Sequence, residues 1–167
     1  METSLRLGGE SKSLRIHAKE KFPLGSNFLF QAHGEIDTSI AAPSYLAMLM
    51  RGYFPELSAK IGVGVHYDDK KQLGYTLRGK KSFLLTSNGL VGVNIKGLLL
   101  TDQEYDVKEK LGAVELSWSI FNFRRNQDVR LKVGYEMLHK MPYFQVRENN
   151  WTINAFLDGK WNLRFDL

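Results

Sequence analysis

The chain has 167 residues, 43% of them hydrophobic, and 23 Lys and Arg against 18 Asp and Glu give a net charge of +5. That length suits one domain, here residues 1–167, and the charge favours anionic partners such as nucleic acid, acidic lipid or phosphorylated small molecules. With no Cys, disulfides, thiol chemistry and Cys-ligated zinc are excluded; residues 1–6 lack the apolar core of a secretory signal, and no apolar run approaches the ~20 residues of a membrane-spanning helix.

In chain order the apolar spacing is two, with turn chemistry every ten to fifteen residues, so the segments read as strands. Residues 3–8 set Leu5 and Leu7 against Ser4 and Arg6. In residues 13–22 the odd positions Arg15, His17, Lys19 and Lys21 are basic, and the even positions Leu14, Ile16, Ala18 and Phe22 are apolar, with Glu20 as the exception. Successive strand side chains point to opposite faces, which makes this a ribbon with one apolar and one cationic side. Residues 28–36 set Phe28, Phe30 and Ala32 against Gln31, His33 and Glu35. A loop containing Pro43 leads to residues 45–54, the least alternating stretch, to which no register is assigned.

Beyond Pro55 the alternation sharpens. Leu57, Ala59, Ile61, Val63, Val65 and Tyr67 oppose Ser58, Lys60, Gly62, Gly64 and His66, with a turn expected at 68–71. Leu73, Tyr75, Leu77 and Phe83 oppose Thr76, Arg78, Lys80 and Ser82, although Lys81 falls on the apolar side. Val91, Val93, Ile95 and Leu99 oppose Asn94 and Lys96, and the charged residues 101–110 read as a solvated loop. Val114, Leu116, Trp118 and Ile120 oppose Glu115, Ser117 and Ser119, followed by a turn at 124–127. Val129, Leu131, Val133, Tyr135 and Met137 then oppose Arg130, Lys132, Gly134 and Glu136. Pro142 opens a short strand with Phe144 and Val146 against Tyr143, Gln145 and Arg147. Trp151, Ile153, Ala155 and Leu157 oppose Thr152, Asn154 and Asp158, and Asp158-Gly159 is a hairpin signal. The last strand sets Trp161, Leu163, Phe165 and Leu167 against Lys160, Asn162, Arg164 and Asp166.

The pattern makes about twelve strands, with no crossover helix between any pair, so the expected fold is all-β: an antiparallel up-and-down meander that closes on itself. Two arrangements satisfy such ribbons: apolar faces meeting in a soluble core, or apolar faces turned to lipid around a basic, wet interior. About four apolar residues per strand would overfill a small barrel, whereas facing lipid they form a continuous band, and closure satisfies every backbone group. Phe22, Tyr53, Tyr67, Phe83, Phe121, Phe123, Trp151 and Trp161 fall near strand ends, where an interfacial girdle belongs. The expectation is a transmembrane barrel.

The polar face then becomes a pore wall. Its anion-binding candidates are Arg15, Lys19, Lys21, Lys60, Arg78, Lys80, Lys96, Arg130, Lys132, Arg147, Lys160 and Arg164, joined by Arg6 and by His17, His33 and His66. The acidic members are fewer: Glu35, Asp37, Glu115, Glu136, Asp158 and Asp166. Surplus positive charge on a pore wall concentrates anions, and separate weak sites permit conduction. The competing role for a cation such as Arg78 or Lys80 is a cross-strand pair with Glu115 or Glu136 that only fills space. The histidines have no metal-ligand spacing, Gly62-Val63-Gly64 has no following helix and so is no nucleotide loop, and no nucleophile set marks an enzyme.

Met1-Glu2-Thr3-Ser4-Leu5-Arg6, Ile16-His17-Ala18-Lys19-Glu20-Lys21 and Gly62-Val63-Gly64-Val65, together with Arg147-Glu148-Asn149-Asn150-Trp151-Thr152 and Trp161-Asn162-Leu163-Arg164-Phe165-Asp166-Leu167, resemble the plant chloroplast outer envelope pore protein 21 family over the whole length. The resemblance implies a rectifying, anion-selective barrel of the plastid outer envelope, in chloroplasts and etioplasts alike, without a cleaved transit peptide. It also implies passage of inorganic phosphate and phosphorylated compounds such as triose phosphates, and regulation by ATP within the pore, with no further cofactor. Two other readings compete: a soluble barrel carrying an anionic lipid or small ligand, and a basic nucleic-acid binder. The latter lacks aromatics interleaved with basic residues on one face.

Overall fold

The computed structural model describes residues 1–9, 13–68, 72–124 and 127–167, with the side chains of Asp68 and of residues 122–124 outside that description. The expected turns at 68–71 and 124–127 and the girdle position Phe123 therefore lie wholly or partly outside the described residues. Among those described, the period-two segments form twelve strands: β1 (Glu2–Gly8), β2 (Leu14–Pro23), β3 (Phe28–Asp37), β4 (Ala42–Phe54), β5 (Ala59–Asp68), β6 (Leu73–Leu84), β7 (Val91–Asp102), β8 (Val107–Arg124), β9 (Gln127–Glu136), β10 (Met141–Glu148), β11 (Trp151–Phe156) and β12 (Trp161–Asp166). Each pairs antiparallel with its sequence neighbours, and β1 pairs with β12, which closes the barrel. Twelve strands about 4.8 Å apart and tilted by about 40° enclose a backbone cylinder roughly 24 Å across. Both chain termini lie at one end, because the strand number is even.

The inside and outside of the wall are the reverse of a soluble protein's. Val63 and Leu77, directly paired across β5 and β6, are 51% and 47% exposed. Leu46, Met48, Met50, Ile61, Leu116, Trp118, Val133, Phe144 and Ile153 are likewise exposed on the outer face. The buried side chains are instead largely polar: Ser4, Gln31, Thr76, Asn94, Glu115, Glu136 and Thr152, with His17, His33 and His66. The buried hydrophobics among the described residues are Ala47, Leu49 and Ala113. A soluble carrier needs the opposite distribution, so this wall faces lipid. Lys81 sits outside as its parity requires, with its ammonium 5.1 Å from the centre of the Phe83 ring, an amphipathic side chain snorkelling along the wall.

Several local expectations change. The stretch 101–110 is mostly strand: β7 reaches Asp102 and β8 resumes at Val107. Asp102 compresses the connection to a turn, its carboxylate accepting from the amides of Glu104 and Asp106 at 3.0 and 2.9 Å. Charge density suggested a loop, but cross-strand pairing of Leu100 with Glu109 and Thr101 with Val107 satisfies the backbone better. Leu57 and Ser58 leave β5, because Pro55 opens a single 3-10 turn, Pro55–Leu57, closed by Ser58 in the left-handed region at φ 46°. Pro43 lies inside β4 rather than in a loop, where a register shift between Glu35 and Ile36 accommodates its missing N–H. Tyr53 has inward parity with Ala47, Leu49 and Arg51, and Phe121, at the register shift that follows Ile120, lines a recess with Ser119, Arg130 and Arg147, so neither belongs to the outer belt. Phe22, Tyr67, Phe83, Trp151 and Trp161 do face outward.

Gly64 is required by a close approach: a Cβ there would lie 2.0 Å from the Met48 carbonyl oxygen on β4. Gly64→Ala should therefore prevent closure of the β4–β5 ladder, read as loss of the heat-modifiable folded band on refolding into detergent. Leu77→Arg should lower stability in lipid vesicles by about 2–4 kcal/mol if Leu77 sits near the bilayer midplane, measured by denaturant unfolding, while Leu77→Val stays close to the unaltered protein.

Candidate functional site

Strand parity decides which side chains reach the lumen, and register decides which of them meet. Of the twelve candidate cations, eleven lie on the inward parity of their strands: Arg15, Lys19 and Lys21 on β2, Lys60 on β5, Arg78 and Lys80 on β6, Lys96 on β7, Arg130 and Lys132 on β9, Arg147 on β10 and Arg164 on β12. Lys160 is placed differently. It stands in the turn before β12, at the mouth opposite the termini, with its ammonium 3.7 Å from the Asp158 carboxylate. The strand begins one residue later because the Asp158-Gly159 hairpin, with Gly159 at φ 86°, consumes that position.

The lumen divides into arcs of different electrostatic character. Around β12, β1, β2 and β3 the cations are shared among carboxylates. Arg6 and Arg15 both reach Glu35, at 3.3 and 3.2 Å, and Arg15 also approaches Asp37 at 3.5 Å. Lys19 contacts Glu2 at 2.9 Å and Lys21 joins the same carboxylate. Arg147 and Arg164 converge on Asp166 at 3.2 and 2.6 Å. Here each of Glu35, Glu2 and Asp166 serves two cations, so even the paired arc retains positive charge.

Around β4 to β9 the balance is different. Lys60, Lys80 and Lys96 stand directly opposite one another on three adjacent strands, an arrangement of like charges that destabilises a sheet. Lys96 donates to Glu115 at 2.5 Å, and the Lys60 ammonium lies 5.1 Å from the centre of the Tyr53 ring. Arg51 donates to the Gln31 amide oxygen at 2.8 Å and Arg130 to the Ser119 hydroxyl at 3.2 Å. Among the described residues, no carboxylate lies within ion-pair distance of Arg51, Lys60, Arg78, Lys80, Arg130 or Lys132. The pairing considered for Arg78 and Lys80 is thus absent: Glu115 takes Lys96, and Glu136 holds His139 at 2.5 Å.

Two further features line the wall. His17, His33, Tyr45 and His66, on four consecutive strands, form a row of rings with centroids 5.1, 5.0 and 5.9 Å apart, and His66 continues it to the Thr76 hydroxyl at 3.0 Å. Gln145, Asn154 and Asn162 form an amide ladder across β10, β11 and β12, with 2.5 Å hydrogen bonds. This ladder borders a cavity of about 550 Å3 that is also lined by Arg6, Arg15, Phe156, Lys160 and Arg164. Among the described residues, no group of three or more His, Asp or Glu side chains is arranged to hold a metal.

Sequence reasoning missed Arg51, which sits in the apolar stretch left without a register, and Glu2, whose parity with Ser4 and Arg6 was the available signal. It also gave no role to Tyr143. A Cβ at Gly134 would lie 2.3 Å from that ring, so the absent side chain lets the phenol of β10 cross β9 and donate to Glu115 of β8 at 2.5 Å.

The barrel resembles two solved porins: the NanC porin, with a TM-score of 0.60 at 9% identity and 99% and 97% of the two chains covered, and the KdgM porin, with a TM-score of 0.60 at 10% identity and 99% and 96% covered. These likenesses establish the fold. At sequence level the chain is 53% identical over 185 residues to outer envelope pore protein 21, chloroplastic, of Oryza sativa subsp. indica, and 50% identical over 167 residues to outer envelope pore protein 21A, chloroplastic, of Arabidopsis thaliana. The corresponding protein of Pisum sativum is 47% identical over 177 residues, and all three comparisons cover 100% of both chains. Residues 3–167 match the family described as chloroplast outer envelope pore protein OEP21. With full-length relatives, a family match over nearly every residue and a porin-like barrel whose wall is inside-out, the chain belongs to the chloroplast outer envelope pore protein 21 family, and is a pore of that membrane rather than an enzyme.

Proposed function

We propose that this pore is an anion-selective, rectifying channel that passes inorganic phosphate and phosphorylated metabolites such as triose phosphates, and that ATP regulates it by binding in the lumen. The observation that carries the reading is the group of inward cations without carboxylate partners among the described residues: Arg51, Lys60, Arg78, Lys80, Arg130 and Lys132. Fixed positive charge on a low-dielectric wall raises the local anion concentration and repels cations. Arg offers a phosphate a bidentate donor pair and Lys a point charge, and the sites are spread over four strands, so an anion passes between weak contacts. Several of these cations lie toward the end that carries the termini, Lys60 as the second residue of β5 and Arg130 as the fourth of β9. A field uneven along the axis is a physical basis for rectification.

The 550 Å3 cavity supports the ATP reading. Arg6, Arg15, Arg164 and Lys160 supply charge for a polyphosphate, while Phe156 and the Gln145, Asn154 and Asn162 amides offer a base a stacking surface and hydrogen bonds. Membrane lipid covers the outer face in this reading, and nucleic acid has no role.

In planar bilayers across a salt gradient, the reversal potential should shift toward that of chloride, and more at tens of millimolar salt than near 1 M, where the Debye length falls to about 3 Å. Replacing Arg78 and Lys80 together by Gln should lower the anion-to-cation permeability ratio several-fold; an unchanged ratio would exclude the unpaired arc as the filter. Arg164→Gln should raise the ATP concentration that halves the current by several-fold, with the salt-gradient reversal potential less affected than in the Arg78/Lys80 variant.

A further inference from the structure

Within the cation-rich arc, Glu115 is held with unusual care. Its side chain is 2% exposed, and one carboxylate oxygen accepts from both Lys96 and Tyr143 at 2.5 Å. The second oxygen has no hydrogen-bond partner among the described residues. Lys80 and Lys132 lie within electrostatic reach of the same carboxylate without pairing to it. Leaving a buried carboxylate oxygen unsatisfied is costly, and so is placing Lys60, Lys80 and Lys96 opposite one another. The Tyr143 brace depends on the missing side chain of Gly134.

We infer that Glu115 is a resident counter-anion that sets how tightly, and for which anions, the lysine cluster of the lumen holds a passing ion; the inference rests on the anion-channel reading above. Without Glu115, the ammonium groups of Lys80, Lys96 and Lys132 would face a multivalent phosphate with no internal competitor. Such a site would trap the ion and block the pore, since conduction requires binding weak enough to release. With the carboxylate fixed on the wall, an entering phosphate must compete with it for Lys96, and on leaving it is replaced by a ligand that is already in place. A singly charged ion competes poorly with a carboxylate at hydrogen-bonding distance, and a multiply charged one competes better, so Glu115 also makes the cluster discriminate by charge.

The test is block of the potassium chloride current by inorganic pyrophosphate in planar bilayers, comparing the unaltered protein with Glu115→Gln. The half-blocking pyrophosphate concentration should fall by about tenfold on losing one opposing charge from a partly desolvated site, with a smaller change in chloride conductance. Tyr143→Phe, which keeps the charge and removes one restraint, should give an intermediate shift and serves if Glu115→Gln does not fold, as judged by heat-modifiable migration. An anion-selective parent whose half-block is unmoved in the folded variants overturns the role of Glu115 and leaves the channel reading standing. A cation-selective parent overturns both.

Discussion

Closure of the ladder between β1 and β12 is the constraint on which the rest depends. In lipid there is no water to satisfy an unpaired strand edge, and each open N–H or C=O costs several kcal/mol. Residues 4–8 of β1 meet residues 162–166 of β12 in unbroken register, and the amides of Leu167 and Gly9 extend the seam to the Thr3 and Trp161 carbonyls, each at 2.9 Å. Once the ring is closed, strand parity acquires a global meaning: one face of every ribbon touches acyl chains and the other encloses water. The exposed Val63, Leu77 and Trp118 and the buried Glu115, Asn94 and Gln31 are consequences of that single topological fact.

Closure also forces charges together. An antiparallel meander brings inward residues of neighbouring strands to the spacing of cross-strand pairs, so a wall rich in Lys and Arg must neutralise, stack or tolerate its own repulsion. All three solutions occur. Glu35, Glu2 and Asp166 each bridge two cations; Lys60 rests over Tyr53; and Lys80 and Lys132 have no ion-pair partner among the described residues. A core built for stability alone would not keep the third kind, because hydrophobic replacements would pack without the desolvation cost of charge. In a water-filled lumen that cost is reduced and the charge remains available to solutes.

The organisation of β8 to β10 shows how a polar interior is made specific without a hydrophobic core. Tyr143 crosses Gly134 to meet Glu115, and Glu115 in turn holds Lys96, linking three strands through side chains across the intervening β9. The amide ladder through Gln145, Asn154 and Asn162 and the ring row from His17 to His66 do the same for other sectors. These networks take the place that interdigitated apolar side chains occupy in a soluble barrel, and they give the lumen distinct surfaces at distinct angles around the axis.

Parity was legible from the residues themselves. The alternation of Arg15, His17, Lys19 and Lys21 with Leu14, Ile16 and Ala18 determined a two-faced strand, and its recurrence determined an even-numbered meander with its cations on one side, because side-chain direction along a strand is a local property of the backbone. Where alternation faded, as in residues 45–54, or charge imitated a loop, as in residues 101–110, local signals failed and pairing with neighbours decided the outcome. Nearness to strand ends suggests the outer belt for Tyr53 and Phe121, yet parity turns Tyr53 inward and Phe121 lines a recess with Ser119, Arg130 and Arg147. What only the tertiary structure decided is which charges meet: that Glu115 takes Lys96 rather than Arg78 or Lys80, that Glu2 joins Lys19 and Lys21, and that Arg51 enters the lumen. Those partners depend on registers and bulges accumulated strand by strand around a closed ring, and no single strand carries that sum.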